Sequence, residues 1–183
     1  LLKPLNMKTN SAGKGFGFFF NPEGKKVLVI NLMCNLFMRK SEDLFLSIQK
    51  LLLEFKLKKN CDAIIIDLHG EAASEKQAFA NFIDGKVSAI IGTHTHVPTS
   101  DLRILPKGTA YQTDAGMCGD YDSVIGMNKE NSIKRFLKEN SIKHFPATGE
   151  ATLSGAIIDC DVKTGLAKNI ESYIFGGQLK KKI

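Results

Sequence analysis

Residues 63–97 read AIIIDLHGEAASEKQAFANFIDGKVSAIIGTHTHV, and their order decides the fold. The apolar, β-branched runs 63–67 and 87–92 are short and bounded by Gly or Asp, which predicts strands buried on both faces of a parallel sheet. Between them, Ser74-Glu75-Lys76-Gln77 has the form of a capping box, which predicts a helix through about Ile83. The Asp84-Gly85 turn then returns the chain to the second strand. A right-handed crossover sets two such strands parallel, with their carboxyl ends at one edge of the sheet. Each carboxyl end is followed by histidine: Leu68-His69-Gly70-Glu71 after the first, Thr93-His94-Thr95-His96 after the second.

Open α/β sheets bind ligands in the loops beyond their strand carboxyl ends, so these three imidazoles are placed where a site is built. In extended chain, residues i and i+2 project to one side, so a His-x-His run reaches one metal or two adjacent ones. His69, His94 and His96 are therefore the candidate metal ligands. Asp67 and Glu71 flank His69. They serve either as ligands and orienting partners of an imidazole, or only as a strand-end cap and a helix-start charge. Asp114, with Gly116 and Gly119, makes either a flexible loop over the site or a plain turn, and Arg103 and Lys107 either offer positive charge to a phosphate or are exposed basic residues with no such task. His144 stands alone in a polar stretch and reads as a surface residue. Neutral imidazole suits zinc, iron, nickel or copper and, with carboxylate help, manganese. Such cations lower the pKa of bound water and polarise phosphoryl oxygens, so hydrolysis is the economical chemistry.

Upstream, apolar positions at helical spacing from Ser41 to Lys58 predict an amphipathic helix with Ser41 as N-cap, preceded by strands at 18–20 and 25–32. The loop KTNSAGKGFG at 8–17 lacks Walker spacing and a following helix, so its glycines read as a turn rather than a phosphate cradle. Downstream come short strands at 103–106 and 109–113, a glycine- and aspartate-rich loop at 114–122, a helix at 130–138, and strands near 152–159 and 168–175. The class is α/β, and 183 residues suit a single domain over 1–183, long enough to bury about 70% of its unfolded surface.

Hydrophobic residues make up 43% of the chain, and no apolar stretch reaches the roughly 18 residues that span a bilayer. No charged segment leading into an apolar core marks a signal peptide, so the expected compartment is the cytoplasm. Cys34, Cys61, Cys118 and Cys160 are widely spaced and read as reduced core residues rather than a disulfide frame or zinc site. A net charge of +6 favours an anionic substrate but is too diffuse for a nucleic-acid groove. No membrane partner is expected.

The segment DLHGEAASEKQAFANFIDGKVSAIIGTHTHV, followed by DLRILPKGTAYQTDAGMCGDYDSVIGM, closely resembles the YmdB-type branch of the calcineurin-like metallophosphoesterases, from about Pro4 onward. The resemblance implies a layered sandwich of two β-sheets flanked by helices. It also implies a dinuclear iron or manganese centre that hydrolyses phosphodiesters, 2',3'-cyclic nucleotides among them. His96 would look toward one metal, and His69 and His94 toward the other. Family members open with a Gly-Asp-Val-Val-Gly-like turn and then Gly-Glu-Asn and Gly-Asn-His motifs, which bring further ligands and the catalytic histidine. None of these is in this sequence, so the chain is expected to be a C-terminal part lacking the N-terminal strands. It would expose apolar sheet surface and be complemented by an N-terminal part or by oligomerisation. Lys107-Gly108-Thr109-Ala110-Tyr111 replaces the usual Gly-Gly-Thr-Ala-Tyr, and Cys118-Gly119-Asp120 the common Thr-Gly-Pro. Two alternatives stand beside the incomplete hydrolase: a non-catalytic metal-binding or regulatory remnant, and a mononuclear hydrolase with three histidines and an open water position.

Overall fold

The computed structural model describes residues 1–8, 12–139 and 143–179. The loop at 8–17 falls partly outside them; its described end, from Lys14, runs into β1 (Phe16–Phe20) with no helix. β2 (Lys26–Met33) pairs antiparallel with β1 and parallel with β3 (Ala63–His69), which pairs parallel with β4 (Ala89–Thr93). The short β5 (Arg103–Ile104) and β6 (Ala110–Gln112) complete a six-stranded sheet of order β1-β2-β3-β4-β6-β5. Helices α1 (Leu44–Glu54) and α2 (Ala73–Ile83) are the β2–β3 and β3–β4 crossovers. A second sheet joins β7 (Gly119–Asp120), β8 (Ala151–Cys160) and β9 (Ala167–Phe175), with α3 (Lys129–Phe136) between its first two strands. This is the mixed α/β, two-sheet architecture expected of a metallophosphoesterase-like sandwich. No helix among the described residues is long and apolar enough to cross a membrane.

The expectation of strands buried on both faces is corrected for β3. Ile64, Ile66 and Leu68 are wholly buried, but Ala63, Ile65, Asp67 and His69, which alternate with them, are only half-buried. One face of the sheet packs Leu28, Ile30, Leu32, Ile64, Ile66 and Leu68 in one cluster with Leu44 and Ile48 of α1 and Phe79 and Ile83 of α2. The other face carries Val29, Ile65, Asp67 and His69, which are half-buried and lie outside that cluster. An unbroken apolar run does not reveal this, because Ile on a half-covered face reads the same as Ile in a core. Leu153, Ile157, Tyr173 and Phe175 of the second sheet are likewise partly exposed.

The caps also differ from expectation. Asp43, not Ser41, caps α1, accepting from Leu46 N at 2.7 Å, while Ser41 Oγ accepts from Asn35 Nδ2 at 2.8 Å. α2 starts earlier than the capping box requires, with Ala72 at the cap, so Ser74 lies inside the first turn. Glu75 accepts instead from the backbone N–H groups of Asn35 and Leu36 at 2.8 and 2.9 Å, tying down the exit of β2.

Candidate functional site

Parallel pairing places His69 opposite Thr93 and Asp67 opposite Ile91, so both strands deliver their functional residues to one edge. Asp67 and His69 are two apart and share the half-covered face. Beyond Thr93 the chain leaves β4 through His94 at φ 131° and His96 at φ 67°, a region that costs a non-glycine residue free energy and persists only where the surroundings hold it. The holding group is Asp114, wholly buried, whose Oδ2 accepts from Thr95 N at 2.8 Å between the two histidines. Its Oδ1 accepts from Gly116 N at 2.9 Å. Behind it lies Lys76 of α2, also fully buried, 3.5 Å from Asp114 Oδ2. Lys76 Nζ donates to the carbonyls of Thr93 and Thr113, each at 2.9 Å, clamping the ends of β4 and β6 together. Of the two readings of Asp114, flexible loop or plain turn, the structure favours the turn: its carboxylate is buried, with an ionic partner and two backbone donors.

A continuous chain of contacts crosses the site. Asn31 Nδ2 donates to Asp67 Oδ2 at 2.6 Å, and Thr93 Oγ1 donates to Asp67 Oδ1 at 3.0 Å. A hydroxyl has one proton, so Thr93 Oγ1 must accept its other contact, 3.1 Å from His69 Nδ1. That order assigns the His69 proton to Nδ1 and lets Nε2 accept from His94 Nδ1–H at 3.1 Å. The two rings stand edge to face, with centroids 4.9 Å apart. Burial first, and then the neighbouring His94, push the His69 imidazole below its ordinary value, favouring the neutral form that binds metal. His94 Nε2 lies 3.0 Å from the half-exposed carboxylate of Glu71.

His96 is not brought to this pair. It is exposed, and its Nδ1–H donates to Ile125 O at 2.8 Å, leaving Nε2 free. Its own carbonyl accepts from Tyr121 Oη at 3.1 Å. Among the described residues no group of three or more His, Cys, Asp or Glu is arranged to hold a metal ion. The donors fit a divalent cation in type, and in the placement of two nitrogens. Their 3.1 Å separation suits an N–H···N hydrogen bond, and is also near the roughly 3.0–3.4 Å between two nitrogens each about 2.1 Å from one cation.

Arg103 is held by Asp101 at 3.2 Å and stacks 5.0 Å from the Tyr111 ring, and Lys107 is bonded through its N–H to Asp84 at the opposite edge of the sheet. Neither faces the histidines. His144 is exposed, as expected. All four cysteines are free; Cys34 and Cys61 are buried, whereas Cys118 is exposed and does not meet the expectation of a core residue. Thr93, Lys76 and Asn31 were missed. For Lys76 a signal existed: it falls with Phe79, Ala80 and Ile83 on the inward stripe of α2, where lysine is rarely found without a partner.

Comparison with known proteins shows what the chain as a whole is similar to. A 2',3'-cyclic-nucleotide 2'-phosphodiesterase of Bacillus subtilis (strain 168) is 45% identical over 174 residues, which cover 95% of this chain and 65% of that protein. A crystal structure of a hypothetical protein from Thermus thermophilus superposes with a TM-score of 0.86 at 38% identity, over 96% of this chain and 67% of that one. A novel phosphatase from Mycoplasma pneumoniae superposes with a TM-score of 0.82 at 38% identity, over 94% and 62%. The chain therefore spans 65% of the length of the Bacillus relative. The family described as YmdB-like protein matches residues 1–173, the stretch that holds both histidine loops and the sheet that presents them, and the chain belongs to that family.

Proposed function

We propose that this chain carries part of the active site of a metal-dependent phosphodiester hydrolase acting on small phosphodiesters such as 2',3'-cyclic nucleotides. The observation that carries the proposal is the His69–His94 pair at two parallel strand ends, with one ring set by Thr93 to present a bare Nε2. The activity named for the Bacillus relative supports the same reading. His69 and His94 would hold one cation and His96 Nε2 another, with iron or manganese as the metals. Bound there, a divalent cation supplies Lewis acidity toward a phosphoryl oxygen and an activated water. The chain's own residues do the remaining work. Asp67 and Thr93 keep the His69 proton on Nδ1, Glu71 faces the outer nitrogen of His94, and Lys76 with Asp114 fixes the backbone from which His94 and His96 project. The positive net charge draws an anionic phosphodiester toward the protein. Four free thiols support a cytoplasmic setting.

One observation favours a second reading, a metal-binding or regulatory unit without hydrolysis: His96 Nδ1 is engaged by Ile125 O rather than by the other two histidines. The test is hydrolysis of bis-p-nitrophenyl phosphate by the full chain with Mn²⁺ or Fe²⁺, beside His94→Ala, with metal binding followed by calorimetry. Turnover that disappears in the variant supports the hydrolase. Metal binding without turnover supports the second reading, and no metal binding by the unaltered chain rejects both.

A further inference from the structure

Next to His96 lies a cavity of about 260 Å³ lined by Val124, Ile125, Met127, Arg135, Phe136 and His144. It is framed by backbone bonds. Asn128 N donates to Phe145 O at 2.8 Å, Ala147 N to Gly126 O at 2.9 Å, and Met127 and Pro146 form a β-bridge, so residues 145–147 close back over the turn that precedes α3. Ile125 belongs to both places. Its φ of 48° is a costly conformation for a β-branched residue, and it aims the carbonyl at His96 Nδ1 while the residue also lines the cavity.

The lining combines an apolar wall, an exposed aromatic ring at Phe136, a guanidinium at Arg135 and an imidazole at His144, with no carboxylate among the described lining residues. A planar, apolar-faced group attached to an anion matches this chemistry: a base stacks on an aromatic side chain whatever its sequence identity, and a guanidinium adds cation–π attraction and charge. The volume lies below the roughly 300–1,000 Å³ of pockets that enclose drug-sized ligands. It accommodates a ring system but not the phosphate as well, and Ile125, which lines it, also binds His96.

We propose that this cavity is the base subsite of the active site, receiving the nucleobase of a nucleotide whose phosphodiester lies at His96. The proposal rests on the phosphodiesterase reading above and goes beyond it by assigning the organic half of the substrate. The test compares adenosine 2',3'-cyclic phosphate with ribose 2',3'-cyclic phosphate, the same diester without a base, and measures adenosine 3'-monophosphate binding by saturation-transfer NMR. Phe136 is 84% exposed, so Phe136→Ala leaves the packing of the core intact. The ratio of kcat/KM for the nucleoside diester over the base-free diester is expected to fall about tenfold in Phe136→Ala, as loss of one stacking partner predicts, and to recover in Phe136→Tyr. Affinity for adenosine 3'-monophosphate should weaken by a similar factor. An unchanged ratio with unchanged nucleotide affinity overturns the subsite, as does displacement of bound nucleotide by an acidic peptide that itself binds more tightly. If the unaltered chain hydrolyses neither diester, the hydrolase reading fails separately, and nucleotide binding alone decides: retained in the unaltered chain and lost in Phe136→Ala supports the subsite, absent from both overturns it.

Discussion

Replacing Lys76 by Met isolates what the buried strut beneath the histidine loop contributes. Met keeps the unbranched stem, so little cavity forms, and the loss is confined to the charged end. That end donates to Thr93 O and Thr113 O at 2.9 Å and neutralises Asp114 at 3.5 Å. Thr93 O keeps a second donor in Gly70 N at 3.1 Å, so the larger penalty falls on Asp114, a fully buried carboxylate left with the N–H groups of Thr95 and Gly116. Removing one partner of a buried pair costs about 3–5 kcal/mol, a large share of the roughly 5–15 kcal/mol that hold a domain folded. With a urea slope of about 2 kcal/mol/M, the midpoint should drop by about 2 M. In Lys76→Met/Asp114→Asn the charge is gone but Asn still accepts from Thr95 N, so the pair should recover at least half of the loss, a strong positive coupling in a double-mutant cycle. A loss below about 1 kcal/mol for the single variant, or a double variant equal to the sum of two singles, refutes the strut.

Gly70→Ala drives a Cβ into Cys34 Cβ and to 2.5 Å from its Sγ, so it should destabilise by about 3 kcal/mol in chemical denaturation. Adding Cys34→Gly should restore most of that, and a double variant worse than the single contradicts the packing. Burial alone would raise the Asp101 carboxyl, but hydrogen bonds from Thr113, Thr99 and Arg103 outweigh it and hold it below its ordinary 3.8. Because the folded value is the lower one, Asp101 contributes stability above about pH 3.8 that is lost as pH falls through the folded value. Asp101→Asn should therefore flatten that stretch of the urea midpoint against pH, and identical acid slopes for the two proteins speak against it. Thr93→Val removes the hydroxyl that sets the His69 proton, so ¹⁵N spectra should show an Nδ1–H ring in the parent chain and a mixed or Nε2–H ring in the variant. An Nε2–H parent would contradict the hydrogen-bond order.

The parallel strands were legible because AIII and AII with the turns around them have one economical assignment, and the histidines follow their ends directly. α2 was legible too, ending at Ile83 as its periodicity requires. Cap identity was not. Whether Ser41 or Asp43, Ser74 or Ala72, takes a helix start depends on where the incoming loop releases the backbone. Asn6, 35 positions from Ser41, and Glu75, 40 positions from Asn35, settle that across the fold.

Local order in the sequence determined the strand-helix-strand path, the parallel edge and the location of three imidazoles there, since hydrophobic period and turn chemistry act over a few residues. Which imidazoles meet was decided by tertiary structure. Register sets Thr93 against His69, while a carbonyl 29 residues on holds His96 Nδ1. The half-exposure of one face of β3 and the burial of Lys76 against Asp114 arise in the same way, from contacts between segments far apart in the chain, where geometry in space rather than spacing along the sequence selects the partner.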